Sequence, residues 1–367
     1  MRASRASAGD RSGDRAMWAA DRAVNANARA GVFAALGAAV LFGAGTPIAK
    51  LLLAHVDPWM LAAVLYLGSG VGLTAYRFVT RAPRARLPRH EVGWFAGAIA
   101  AGGLVGPVLL MFGLVAMPAS GASLLLNAEA VFTALLAWFA FKENFDRRIA
   151  LGMALIVGGA LVLAWPGDAH FAGVWPTLAI LGACFAWGID NNLTRKVSLA
   201  DATWIASIKG LAAGAANFTI ALSLGSTIPP TIQLGGAMTV GFFAYGVSLA
   251  LFVVALRHLG AARTGAYFST APFFGAVLAL ALGDTLTPQL VGAGALMAVG
   301  VWLHLTERHE HEHVHEPMEH SHRHVHDVHH RHAHDADWDG REPHSHPHRH
   351  ERMVHSHPHY PDAHHRH

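Results

Sequence analysis

Long apolar stretches follow one another along this chain, separated by short polar turns. Each is of the length a helix needs to cross a bilayer, about 20 residues. Ten are predicted, at 31–54, 58–79, 91–115, 119–141, 148–165, 172–194, 202–224, 232–256, 261–282 and 286–305. Short connections make sequential helices antiparallel neighbours. The expected class is all-α integral membrane, with ten transmembrane helices as two inverted five-helix repeats.

The stretch 119–141 stands out because Asn127 and Glu129 sit near its middle. A carboxylate at membrane depth costs roughly 3 kcal/mol even on lenient scales, and normally faces a watery cavity or a partner. At about 100° per residue, Asn127 lines up with Ser120, Ser123 and Ala134, while Glu129 lies roughly 160° away. Only one of the two can face a narrow cavity, and the other packs between helices.

Composition agrees with the pattern: of 367 residues, 53% are hydrophobic and 14% charged, too apolar for a soluble protein of this size. The formal charge of +3 hides a division of the chain. Residues 1–30 are a basic cytoplasmic segment and read as a lead-in to the first helix, not as a nucleic-acid arm. The repeats occupy 31–165 and 172–305, and a His-rich tail fills 306–367. Cys184 is the single cysteine, which excludes a disulfide framework and a cysteine metal site.

Lys and Arg are one-sided. One set of turns carries Arg77, Arg81, Arg84, Arg86, Arg89, Lys142, Arg147, Arg148, Arg195, Lys196, Arg257 and Arg263. The opposite set, 55–57, 116–118, 166–171, 225–231 and 283–285, has none. By the positive-inside rule both termini are cytoplasmic, in an inner (plasma) membrane.

The halves echo each other. Phe42-Gly43-Ala44-Gly45 parallels Phe185-Ala186-Trp187-Gly188, and Gly121-Ala122-Ser123 leading to Glu143 parallels Gly265-Ala266-Tyr267 leading to Asp284. Gly-rich helices close both halves, with Gly152, Gly158 and Gly159 in one and Gly292, Gly294 and Gly300 in the other. An odd number of helices per repeat inverts the second, an arrangement of secondary transporters with a midplane site.

On these residues, with Lys50 and Ala271-Pro272-Phe273, the chain resembles two EamA domains of the drug/metabolite transporter superfamily. The resemblance implies a central cavity bounded by the first four helices of each half, and transport of a small organic solute, often outward. Ala128-Glu129 stands where the second half has Pro272-Phe273, so the first half places a carboxylate beside the usual break.

Cavity candidates are Glu129, Asn127, Lys50, Asp190, Asn191, Lys209, Trp187 and Tyr245. Lys50, near the outer end of its helix, either snorkels to the interface or pairs with Glu129. Asp190 and Lys209 flank one turn at similar depth, so they are expected to pair. Pro47, Pro107 and Pro272 are candidate helix breaks, since each removes a backbone hydrogen bond.

The tail holds 22 of the 27 His. His309, His311, His313 and His315 alternate, as do His320, His322, His324 and His326, then His344, His346, His348 and His350. Interleaved Pro, Arg and acids argue for a disordered segment. Neutral imidazole is a common ligand, so Zn2+ or Ni2+ is expected on the tail. No cofactor is otherwise required, and no constellation suggests an enzyme.

The leading reading is a secondary transporter that exports a small metabolite by alternating access, with a metal-binding tail. Its alternative is a divalent-metal (Zn/Ni/Co) transporter whose tail senses or delivers the ion. Expected partners are the lipid bilayer and a small-molecule substrate, without nucleic acid, and a homodimer is left open. Reporter fusions at Gly167 and His309 are expected to give opposite signals, and equal signals would overturn the ten-helix map.

Overall fold

The computed structural model describes residues 10–83, 85, 87–141, 147–165, 174–197, 200–306, 310–315, 318–324, 344–350 and 353–358. The helices are α1 (Asp10–Leu52), α2 (Pro58–Val79), α3 (Val92–Ala98), α4 (Gly106–Ala116), α5 (Ala119–Leu125), α6 (Ala128–Phe141) and α7 (Arg147–Ala164). They continue as α8 (Val174–Val197), α9 (Ala202–Ser223), α10 (Thr231–Val240), α11 (Ser248–Phe268), α12 (Ala271–Ala281) and α13 (Pro288–Leu305). A π-helical segment joins α3 to α4 over Ile99–Val105, and a second joins α10 to α11 over Gly241–Val247.

Among the described residues, seven helical units are long and apolar enough to cross a membrane: Arg29–Leu52, Pro58–Val79, Arg89–Ala116, Ala119–Leu136, Ala202–Ser223, Thr231–Leu256 and Thr264–Ala281. Ala150–Leu163 and Pro288–Leu303 are shorter apolar helices. The expected sixth span is α8, long but burdened with Asp190, Arg195 and Lys196. All ten expected stretches are therefore helical, but not all of them are spans by length and composition.

Several boundaries differ from expectation. The first helix reaches back to Asp10, into the segment read as a lead-in. The stretch expected as one helix over 119–141 is two, separated at Leu126–Asn127. The turn expected after residue 256 lies inside α11. The rings of Phe252 and Phe268 are 4.8 Å apart, whereas sixteen residues of straight helix would separate them by about 24 Å. Against α1, Gly31 packs on Leu259, Gly37 on Leu251 and Gly43 on Ala271. The chain therefore reverses within α11 and returns alongside α1.

The His-rich tail is described at four short strands. Its described residues form two antiparallel ribbons, Glu310–His315 (β1) with Met353–Pro358 (β4), and Met318–His324 (β2) with His344–His350 (β3). Alternating His is itself a period of two, the period of a strand. The register opposes His311 to His357, His313 to His355, His320 to His348, His322 to His346 and His324 to His344. His309, His326 and Glu143 lie outside the described residues.

Each half starts its second helix in the same way. Asp57 accepts hydrogen bonds from the Trp59 and Met60 amides, and Asp201 accepts from the Trp204 amide. Asp201 also holds Arg77 from the far end of α2. Partial burial pushes the Asp201 carboxyl up, but hydrogen bonds from Thr203 and the Trp204 amide, with the Arg77 guanidinium, hold it below the usual carboxylate range.

The halves cross-pack. The first helix of each lies against the third and fourth of the other, α1 on α11 and α12, α8 on α4 and α6. The second helices, α2 and α9, pair with each other, as do the last, α7 and α13. Small residues permit these approaches, as is usual between membrane helices. Gly70 meets the backbone of Gly210 and Leu211, and Gly300 meets the backbone of Gly152.

A Cβ at Gly70 would strike backbone, which cannot swing aside as a side chain can, whereas one at Gly93 meets nothing within 4 Å. Gly70→Ala is expected to destabilise by about 1–3 kcal/mol, read as a lower thermal midpoint in detergent. Gly93→Ala should melt with wild type, and equal midpoints for all three proteins would sink the close α2–α9 contact.

Candidate functional site

A π segment leaves some carbonyls without their usual amide partner, and in lipid that partner must be replaced. At Ile99–Val105 the replacements come from three other helices. The Gly102 carbonyl accepts from the Tyr66 hydroxyl at 2.7 Å and from the Trp187 indole N–H at 3.0 Å. The Gly103 carbonyl accepts from the Asn217 amide at 2.9 Å.

Glycine is needed here for a second reason. A Cβ at Gly102 would collide with the Asp190 side chain, and one at Gly106 with the Trp187 indole. Gly102 and Gly106 are four residues apart and share one helix face, as do Trp187 and Asp190 at a spacing of three. The bare glycine face therefore receives the polar face of α8.

Asp190 and Lys209 form an ion pair, as their shared depth predicts, and both are buried. The second carboxylate oxygen of Asp190 accepts from the Thr194 hydroxyl at 2.8 Å. Glu129 accepts from the Asn191 amide at 2.7 Å. Neighbouring Asn192 donates to the carbonyls of Thr133 and Gly188, at 3.1 and 2.9 Å. Both asparagines thus tie α8 to α6 just beyond the break that starts α6.

These groups surround a cavity of about 60 Å³ between the halves. Its polar wall is Glu129, Asp190, Asn191 and Lys209, with Ser248. Its apolar wall is Phe42, Tyr66, Trp187, Tyr245, Phe252 and Phe268, with Ala244 and Leu249. Sites for small organic ligands run to about 300–1,000 Å³, so a substrate enters only if the helices part.

Of the cavity candidates, Glu129, Asp190, Asn191, Lys209, Trp187 and Tyr245 line this space. Two do not. Asn127 is 1% exposed and packs away from the cavity, its amide donating to the Leu124 carbonyl and reaching the Met297 sulfur. The helical period already required Asn127 and Glu129 to part, and the break at Leu126–Asn127 keeps them on different surfaces. Lys50 is not the partner of Glu129. Its ammonium donates to the carbonyls of Leu114 and Val115, capping the end of α4 where the helix dipole favours a cation.

Pro272 sits in the first turn of α12, where a missing N–H costs little. Pro107 follows the π segment inside the helical unit Arg89–Ala116, and Pro47 lies inside α1. Sequence reasoning missed Phe42, Tyr66, Ala244, Ser248, Leu249, Phe252 and Phe268 as lining residues. A tyrosine beside Gly68 and Gly70 was a signal for Tyr66, whereas Phe252 and Phe268 meet only through the reversal inside α11.

The chain matches the model of the EamA-like transporter family twice, over residues 29–165 and 174–306. It is 28% identical to an uncharacterized transporter of Methanothermobacter thermautotrophicus, across 74% of this chain and 85% of that protein. It is 32% identical to a probable amino-acid metabolite efflux pump of Salmonella typhimurium, across 45% of this chain and 53% of that protein. A crystal structure superimposes with a TM-score of 0.57 at 18% identity, covering 74% of this chain and 94% of the other, a likeness of fold alone.

Removing one member of a buried ion pair costs about 3–5 kcal/mol, whereas replacing both is often tolerated. Lys209→Met is therefore expected to lower the thermal midpoint and yield sharply, and Asp190→Asn with Lys209→Met to recover most of the loss. A single variant as stable as wild type would show the two charges to be uncoupled.

Proposed function

The chain belongs to the EamA-like transporter family, and from that premise we propose that it exports a small metabolite by alternating access. In this reading ten helices span the plasma membrane, both termini are cytoplasmic, and the halves form an inverted repeat. The chain is a multi-pass membrane protein, and its named relatives above are a transporter and an efflux pump. The observation that carries the reading is the cavity between the halves, with Glu129 in its wall.

Alternating access needs helices that rearrange about the site. The break before α6, the break before α12 and the two π segments supply interrupted backbone beside the cavity. Interrupted helices at the interface of two repeats suit that motion.

Metal enters this reading on the tail, not as cargo. The cavity donors are engaged with one another, Asp190 with Lys209 and Glu129 with Asn191. The tail instead sets His opposite His along both ribbons. His residues opposed in register suit Zn2+ or Ni2+ as neutral ligands, and binding there regulates transport from the cytoplasmic side.

Glu129→Gln keeps size and most hydrogen bonding but removes the charge. It is expected to abolish most flux in proteoliposomes or vesicles while reaching the membrane at wild-type abundance. Wild-type flux would reduce Glu129 to packing. Thermal shifts with Zn2+ or Ni2+ should vanish when residues 309–367 are deleted, and should fade as pH drops through about 6.5, where imidazole protonates. Metal shifts that survive the deletion would favour the metal carrier.

A further inference from the structure

The cavity is unevenly charged. Its wall holds two carboxylates, Glu129 and Asp190, and one ammonium, Lys209. Lys209 is committed to Asp190, whose other oxygen takes the Thr194 hydroxyl. Glu129 receives one amide hydrogen, from Asn191, and among the described residues no basic side chain pairs with it. A carboxylate at this depth needs a counter-charge or a proton.

The same cavity is lined by an aromatic cluster. The Phe42 ring meets Trp187 edge-on at 5.7 Å, Tyr245 edge-on at 5.9 Å, and Phe268 at 5.3 Å. Rings of this kind attract a cation through their faces and shelter a flat apolar body. An anionic group on the ligand would find no free cation among the described lining residues and would lie beside Glu129.

We propose that this cavity selects an organic monocation, a protonated amine on a flat apolar body without a carboxylate. Glu129 serves as counter-ion, and the Phe42 cluster holds the body. The proposal rests on reading the cavity as the transport site and names its substrate class. It separates the amine from the corresponding amino acid, whose carboxylate is repelled.

The test uses the full chain in nanodiscs, with calorimetry on three probes of one skeleton: 2-phenylethylamine, phenylalanine and 3-phenylpropionate. The amine is expected to bind at least tenfold more tightly than phenylalanine, and 3-phenylpropionate not at all. Glu129→Gln should lose tenfold or more in amine affinity. Glu129→Asp, which keeps the charge, should retain the preference and stands in if the Gln variant misfolds. Phenylalanine binding as tightly as the amine, or amine affinity unchanged in Glu129→Gln, would overturn the proposal. Amine that binds but is not moved across proteoliposomes would support the binding class and count against the carrier. Flux of other metabolites without amine binding would overturn the binding class alone.

Discussion

Inside a bilayer a carbonyl that has lost its helical partner has no water to turn to, and an orphaned polar group there costs several kcal/mol. The π segment at Ile99–Val105 creates that need at the centre of this molecule. Tyr66, Trp187 and Asn217 meet it from three different helices. Those hydrogen bonds fix where α2, α8 and α9 stand, and with them the depth of Asp190 and Lys209. The cavity is a consequence: Trp187, Asp190 and Lys209 line it because the same helices must satisfy or abut Gly102 and Gly103.

The frame is close to symmetric and the chemistry is not. Both halves have a π segment in the third helix, a break in the fourth and an aspartate cap on the second. Aligned on the breaks that start α6 and α12, Glu129 falls at Pro272, one position from the Phe273 with which the Gly121 and Gly265 motifs pair it. Aligned on the Phe42 and Phe185 motifs, Asp190 corresponds to Pro47. An acid thus stands in one half where the other has a helix-shaping proline. The duplicated scaffold supplies a centre of interrupted backbone, and the difference between the copies supplies the carboxylates of a cavity that is otherwise largely aromatic.

Asp190 and Lys209 illustrate what was legible beforehand. Their distances from a shared turn set their depth, and two unlike charges at equal depth in lipid are far cheaper together than apart. Lys50 illustrates the reverse. It too is a lone cation near the end of a helix, but an unpaired acid and a row of helix-end carbonyls are both adequate partners. Which of the two lay within reach depended on where α4 ended, a matter of packing between elements. Asn127 falls between these cases, since its period separated it from Glu129 but did not say which of them faced inward.

The sequence by itself determined the quantities that depend on local order: the apolar stretches, the sidedness of Lys and Arg, the doubled pattern, and the places where proline and glycine interrupt a helix. Membrane helices are specified by length and polarity along the chain, so these signals survive without a structure. Tertiary packing decided the rest. It turned α11 back on itself, set α8 against the glycines of the other half, and brought Phe42, Tyr66, Phe252 and Phe268 to one wall. Those contacts arise between helices distant in the chain, and whether a π-segment carbonyl finds its donor is settled only when they meet.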